Sequence, residues 1–500
     1  MTLGGLVCEI KCIRVGDGNS LAQSRRFSYL VRVQANRQTR ILTTLGPATQ
    51  TEESIGALMD AGANLFRLNM SHARHDWVRE VVPRIRAAAK VRDLVPGILV
   101  DLQGPAIRTG DLPEPVDLKA GDRFDFSVDR TAQGDRVVGV NYANFLNDIE
   151  EGATILIDNG LIRMKVLRKT ESVAECEVEI GGLMGNRRHI NLPGTKVGLP
   201  ALTEKDRADV QVGLELEVDY FALSFVREPG DVEELQALVH SAEHAPRVVA
   251  KIEDQHAVQH IERIISAADA IMVARGDLGV ECPYEELPII QRQIVRQCLL
   301  VGKPVVVATH MLESMIGEPH PTRAEVTDVA NAVFEQADAI MLSGETSVGQ
   351  FPVICVEVMD RIARRMEQET GAEFQHEAEL GDTCQRLAKS AVRMADDLEA
   401  DAMVVFTVSG RMVRETAWMR PRHAKILALC ACPRVAGEMA MYRGVKPVLI
   451  EGFCPDFPVL DAISTLKERG HLQEGDTVVV SSSTKAVQKI ANSVQVHRVS

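Results

Sequence analysis

Residues 248–279 read VVAKIEDQHAVQHIERIISAADAIMVARGDLG. Two short apolar, β-branched runs, Val248–Ala250 and Ala270–Ala274, each end in polar residues and are separated by a longer mixed stretch. That order predicts strand, crossover helix and parallel strand. The same unit recurs outward in both directions. From Arg40 onward the runs are Ile41–Leu45, Asn64–Leu68, Ile98–Val100, Tyr220–Leu223, Val248–Ala250, Ala270–Ala274, Val305–Ala308 and Ala339–Leu342, eight in all. Between most of them lies a helical pattern such as Val326, Val329, Ala330 and Val333, opened after Pro321 by a Thr322-x-x-Glu325 capping box. Eight strands each followed by a helix is the count of a closed parallel (β/α)8, or TIM, barrel.

About 120 residues separate Val100 from Tyr220, far too many for one crossover. Within them the pattern changes to short alternating strands with turn signals at Gly121-Asp122, Asp158-Asn159-Gly160 and Gly181-Gly182, which predicts an inserted small antiparallel β-barrel. An insertion after the third strand sits on the barrel's C-terminal rim, where it can act as a lid. Past the eighth strand, Gln368–Asp382 reads as an acid-rich linker. Beyond it Ala402–Phe406, Ile426–Ala431, Val448–Ile450 and Thr477–Val480 predict a C-terminal α/β open-sheet domain. The expected division is 37–104 with 200–367 for the barrel, 105–199 for the lid and 383–500 for the last domain. Residues 1–36 are expected to be a flexible extension. A transit-like segment is the competing reading, because the first forty residues carry seven Lys or Arg against Glu9 and Asp17.

Composition narrows the function classes. With 56 basic and 70 acidic residues the net charge is −14, and aromatic residues make up 4%, so neither a polyanion-binding face nor a base-stacking surface is expected. No apolar run reaches the roughly 18–20 residues of a membrane span. The ten cysteines form no Cys-x-x-Cys pair, which fits a reducing cytosol and a cytoplasmic protein rather than a zinc or disulfide framework.

Reactive groups in such barrels stand at the C-terminal ends of the strands. In order these exits offer Thr44; Arg67, Asn69, Ser71 and His72; Asp101; Ser224 and Arg227; Lys251 and Glu253; Arg275, Gly276 and Asp277; Thr309; Ser343 and Glu345. Period-2 geometry points Lys251 and Glu253 to the same side. Glu253 and Asp277, on adjacent strands, could converge on a small hard cation, most naturally magnesium. A structural ion pair between Lys251 and Glu253, and a plain turn at Gly276-Asp277, are the competing readings. Arg67 could grip a phosphoryl group, or serve as a surface ion-pair residue, and Arg108 at the lid's first turn could reach nucleotide phosphates.

These residues fall within longer motifs. They include Thr43-Thr44-Leu45-Gly46-Pro47-Ala48, Arg67-Leu68-Asn69-Met70-Ser71-His72, Asp101-Leu102-Gln103-Gly104-Pro105, Asn191-Leu192-Pro193-Gly194, Lys251-Ile252-Glu253, Met272-Val273-Ala274-Arg275-Gly276-Asp277-Leu278-Gly279-Val280-Glu281, Ala308-Thr309-His310-Met311-Leu312-Glu313-Ser314-Met315, Pro321-Thr322-Arg323-Ala324-Glu325 and Ser343-Gly344-Glu345-Thr346. In this order the chain resembles the pyruvate kinase family over about 460 of its residues. The resemblance implies transfer of the phosphoryl group of phosphoenolpyruvate to ADP, giving pyruvate and ATP. It implies catalytic roles for Lys251, Arg67 and Thr309, and substrate contacts from these with Gly276 and Asp277. Mg2+, or Mn2+ in its place, would sit on Glu253 and Asp277. K+ would sit on Asn69, Ser71, Asp101 and the backbone oxygen of Leu102. Asn69, His72, Arg108 and Arg188 would meet the nucleotide. A homotetramer is implied as well.

Several positions depart from the family pattern. Leu102 stands where many members have Thr, Ala106 where Glu or Lys is usual, Arg188 where a lysine is usual and His310 where Gln is common. The first two bear on potassium dependence; Arg188 keeps the charge with a different reach. Thr407, Ser409, Gly410 and Arg411 resemble a loop that takes an effector phosphate, although Met412 replaces a small polar residue. Ser481-Ser482-Ser483-Thr484-Lys485 stands in place of a glycine-rich effector loop. The alternatives are a non-catalytic phosphoenolpyruvate- or nucleotide-binding homologue, and another barrel enzyme doing carbon–carbon chemistry on phosphoenolpyruvate. The first should have lost Lys251, Glu253 or Asp277, and the second has no need of a lid carrying Arg108 and Arg188.

Overall fold

Eight parallel strands close on themselves in the computed structural model, which describes residues 37–240, 245–454, 457–486 and 489–500. They are Arg40–Thr44, Leu65–Asn69, Gly97–Asp101, Tyr220–Leu223, Arg247–Ile252, Ala270–Ala274, Val305–Ala308 and Ala339–Leu342, so each run expected from the sequence lies on or overlaps a barrel strand. Closure is made by the first and last, with Arg40 opposite Ala339 and Thr43 opposite Leu342. Their alternation explains why the strands read as nearly continuous apolar runs. Leu42, Leu65, Leu99, Val249, Met272, Val306 and Met341 fill the barrel interior, while Ile41, Phe66, Val100, Phe221, Val248, Ile271 and Val307 pack under the helices. The helix Arg323–Phe334 begins as its capping box requires. The Thr322 hydroxyl accepts from the Glu325 amide at 3.2 Å, and the Glu325 carboxylate accepts from the Thr322 amide at 2.7 Å.

The inserted domain is not the closed antiparallel barrel that the turn signals suggest. It is an open seven-stranded sheet, with a separate two-stranded ribbon of Val116–Leu118 and Gly182–Met184. One pair in the sheet, Arg123–Ser127 with Val137–Gly139, is parallel. Its outermost strands, Gln133–Gly134 and Ile190–Asn191, have two residues each, too few to carry the staggered register that closure demands. The sheet instead curls around Phe124, Phe126, Phe145, Ile155 and Met164. Both of its roots are pinned to the barrel. Asp206 accepts from the Gly104 amide at 3.1 Å on the way out, and Arg227 donates to the carbonyls of Val197 and Leu199, at 2.7 Å each, on the way back.

The C-terminal domain has the four expected parallel strands, at Ala402–Phe406, Lys425–Cys430, Val445–Leu449 and Thr477–Ala486, and a fifth, Lys489–Arg498, antiparallel at the edge. The polar run at Ser481–Lys485 therefore belongs to a strand, with Ser481 opposite Val494 and Ser482 opposite Ser493. The expected acidic linker is docked. Arg296 reaches Glu377 at 2.5 Å, Gln375 is buried, and the Ala372 amide donates to Phe334 at 2.8 Å.

This domain plugs the N-terminal end of the barrel. Ala440 and Met441 join the interior cluster, Trp418 Nε1 donates to the Leu299 carbonyl at 2.5 Å, and a side chain on Gly437 would meet Asp219. Arg420 grips both oxygens of Asp338 at 2.8 Å, with both side chains at most 4% exposed. Even the first strand is shared, because Gly444 donates to the Gln38 carbonyl at 2.8 Å and Arg40 Nε to Ala440 at 3.2 Å. No helix of the described residues is long and apolar enough to cross a membrane.

Candidate active site

At the open end of the barrel, three neighbouring strand exits converge on one ammonium group. Lys251 Nζ lies 2.8 Å from Glu253, 3.2 Å from Asp101 and 2.7 Å from the Ser224 hydroxyl. Lys251 and Glu253 thus do share a face and do pair, as period 2 requires. The pair is one edge of a larger network, because Asp101 gives its other oxygen to Arg67 Nε at 2.6 Å, and Arg67 also donates to the Thr44 hydroxyl at 3.1 Å. Arg67 is buried here, which removes the surface ion-pair reading.

Burial and charge oppose one another throughout this group. Desolvation alone would lower the Lys251 pKa, but Asp101 and Glu253 hold it above the ordinary lysine value. Desolvation would raise that of Asp101, but Lys251 and Arg67 hold it below the usual range. Glu253 is pushed up to about 7 by burial; Lys251 opposes the shift and the Asp277 carboxylate adds to it. Its second oxygen accepts from the Phe225 amide at 2.6 Å.

Asp277 stands in the short helix Arg275–Glu281, anchored at its start. Arg275 donates to the carbonyls of Ala308, at 3.2 Å, and Thr309, at 2.5 Å, and pairs with Asp328 at 2.6 Å. The Gly276 amide donates to the Thr309 hydroxyl at 2.7 Å, and that hydroxyl donates to Ala308 at 2.6 Å. Thr309 is left-handed, φ 66°, as is His310, φ 53°, an unfavourable backbone for a β-branched residue that this bracing maintains. Gly276-Asp277 is therefore the first turn of a helix. Among the described residues no three His, Cys, Asp or Glu side chains form a ready-made metal cluster. Two carboxylates remain, a donor set suited to a hard cation that keeps oxygen sites for a ligand.

Asn69 and Asp101 sit opposite one another on adjacent strands. The Asn69 side-chain oxygen accepts from the Ser71 amide at 3.1 Å, and the Leu102 carbonyl accepts from the Ser224 hydroxyl at 2.8 Å. Ser71 and His72 are exposed on the turn beyond. Arg108 and Arg188 lie on the lid. Arg108 donates to the Arg187 carbonyl at 3.2 Å, and Arg188 pairs with Asp158 at 3.0 Å, so both lie along the lid surface and neither contacts the Lys251 network in these interactions. In the last domain the Thr407 hydroxyl accepts from the Gly410 amide at 2.9 Å, Ser409 is exposed, and the Arg411 guanidinium is taken by Asp382.

Two residues not singled out for the site belong to the cleft between lid and barrel. His189 faces the Phe225 ring at 5.9 Å, with its pKa lowered by burial against the pull of Asp277. Glu281 accepts from the Asn191 amide at 3.0 Å and is pushed up to about 7 by burial. Glu281 ends a quoted motif, whereas nothing in the spacing of His189 marks it.

Comparison with known proteins identifies the family. The family model described as "Pyruvate kinase, barrel domain" matches residues 36–356, and "Pyruvate kinase, alpha/beta domain" matches 385–497. The chain is 39% identical over 474 residues to plastidial pyruvate kinase 2 of Arabidopsis thaliana, covering 93% of this chain and 81% of that one. It is 38% identical to pyruvate kinase of Geobacillus stearothermophilus, with the same coverage. A solved pyruvate kinase from Cryptosporidium parvum superposes with a TM-score of 0.87 at 34% identity, covering 93% of this chain and 96% of that one. The chain belongs to the pyruvate kinase family.

Proposed function

We propose that the chain transfers the phosphoryl group of phosphoenolpyruvate to ADP, giving pyruvate and ATP. The observation that carries this reading is the buried Lys251 ammonium set between Asp101, Glu253 and Ser224, with Arg67 on the far side of Asp101. Phosphoryl transfer asks a protein mainly for position and charge neutralisation. Arg67 grips the phosphoryl oxygens, and Lys251 meets the charge that develops on the bridging oxygen as the phosphorus–oxygen bond breaks and an enolate remains. Mg2+ on Glu253 and Asp277 supplies further charge neutralisation when bound. The Gly276 backbone faces the substrate carboxylate. Thr309 already donates its proton to Ala308, so it orients a water that protonates the enolate carbon rather than giving up its own proton. Retention of Lys251, Glu253 and Asp277 together leaves a purely binding homologue without support.

The remaining parts of the proposal rest on the family resemblance. K+ sits at Asn69, Ser71, Asp101 and the Leu102 carbonyl. The nucleotide meets Asn69, His72, Arg108 and Arg188, with Arg188 released from Asp158. The assembly is a homotetramer, and the compartment is the cytoplasm. A phosphorylated effector at Thr407–Arg411 must displace Asp382 from Arg411.

Pyruvate formation from phosphoenolpyruvate and ADP, followed with and without K+, tests the reading; a folded protein that makes no pyruvate under any ionic condition would end it. In the same assay Glu253→Ala is expected to raise the magnesium concentration at half-maximal rate by at least about tenfold, the loss seen when even an outer partner of a metal ligand is removed. An unchanged magnesium dependence would move the metal elsewhere.

A further inference from the structure

The first turn of the helix Glu204–Glu215 holds a charge cluster that the mechanism leaves without a task. Lys205 Nζ lies 2.7 Å from one oxygen of Asp209 and 2.8 Å from the backbone carbonyl of Met70. The other oxygen of Asp209 is 2.6 Å from His75 Nε2. The Asp209 side chain has no solvent exposure, whereas those of Lys205 and His75 are 46% and 37% exposed. The lysine side chain is therefore half-exposed while its ammonium is bonded to a buried carboxylate and a main-chain carbonyl. Such charge-assisted bonds at a buried acceptor are far stronger than an exposed ion pair.

Met70 opens the turn that carries Ser71 and His72. From the barrel side this turn hangs on Asp101 and Asn69: the Met70 amide donates to the Asp101 carbonyl at 2.9 Å, the Ser71 amide to the Asn69 side chain at 3.1 Å, and the His72 and Ala73 amides to the Asn69 carbonyl at 3.1 and 2.9 Å, while the Met70 carbonyl is left for Lys205. Lys205 holds it from the side of the lid. Asp206, the next residue, accepts from the Gly104 amide where the chain leaves for the lid, and from Thr203 at 2.9 Å where the chain has returned. One helical turn thus grips the lid's exit, the lid's return and the Met70 turn.

We infer that Lys205, held by Asp209 and His75, is a positioning residue that fixes the Met70–His72 turn for the nucleotide and makes it move with the root of the lid. This rests on the kinase reading above. Among the described residues no hydrogen bond or ion pair joins Lys251, Arg67 or Thr309 to Lys205, Asp209 or His75, so the nucleotide and phosphoenolpyruvate sides should respond differently.

The test is steady-state kinetics on full-length protein, with thermal unfolding alongside. Lys205→Met is expected to raise KM for ADP about tenfold, the scale of one charge-assisted hydrogen bond, with KM for phosphoenolpyruvate unchanged, while the unfolding midpoint falls because buried Asp209 keeps His75 but loses the lysine. Lys205→Arg, whose fork can span Asp209 and the Met70 carbonyl, should restore most of the loss. An unchanged KM for ADP overturns the inference; so does an equal rise in both KM values, which is the mark of a purely structural role. Should Lys205→Met fail to fold, His75→Gln decides, with a rise in KM for ADP alone supporting the inference and no rise overturning it. A wild-type protein that makes no pyruvate would overturn the kinase reading itself, whereas an active wild type indifferent to Lys205 overturns only this inference.

Discussion

Lys251→Met lowers kcat for pyruvate formation by about a hundred- to a thousandfold, the scale set by removing a single preorganised donor to a developing negative charge. The expectation comes from the arrangement rather than from the residue type. The ammonium is buried, three oxygens fix its position, and among the described residues no other cation pairs with both Glu253 and Asp101, since Arg67 pairs with Asp101 and not with Glu253. The fold should survive. Asp101 keeps Arg67 at 2.6 Å. Glu253 is already pushed up to about 7, so it takes a proton when its partner goes and is not left as a buried naked charge. Circular dichroism and the unfolding midpoint should therefore stay near wild type while turnover falls. A folded Lys251→Met protein working at half the normal rate would show that the charge is supplied elsewhere.

Asp338→Ala has its large effect on stability. The carboxylate receives two bonds from Arg420, one from the Arg443 amide at 3.2 Å and one from the Val305 amide at 3.1 Å, all out of water. Removing it strands the Arg420 guanidinium, 3% exposed, at the seam between the barrel and the last domain. Loss of one partner from a buried pair costs about 3–5 kcal/mol, and calorimetry should show a lower and broader transition as the C-terminal domain loosens first. Asp338→Asn, which keeps the shape and some of the bonds, should cost less. Equal midpoints for wild type and Asp338→Ala would mean that the seam is held without help from the Arg420–Asp338 pair.

The barrel is legible in the sequence because each strand announces itself twice, by an apolar run and by the polar residue that ends it. Arg67, Asp101, Lys251 and Thr309 are visible for the same reason: a strand exit fixes where a side chain points. The lid's failure to close is not legible, since a two-residue strand such as Gln133–Gly134 carries no periodic signal and its pairing is set by residues elsewhere in the sheet. Nor is the edge strand Lys489–Arg498, where alternating polar residues read as surface until the partner strand is known. Lys205 looks like one more charge on a wet helix; its bond to the distant Met70 carbonyl, which no spacing announces, ties it to the site. Likewise the bond between Arg411 and Asp382 is invisible in a motif that matches only the loop.

The bond from Arg40 to Ala440 spans 400 residues of chain. A ribosome releases the opening strand long before it makes the segment that will cap it, so the nascent cylinder waits, its lower mouth uncorked and Leu42 and Tyr220 facing water or a chaperone. Sealing is then a late event in biogenesis, and any truncation that stops short of Met441 would deliver a vessel without a floor.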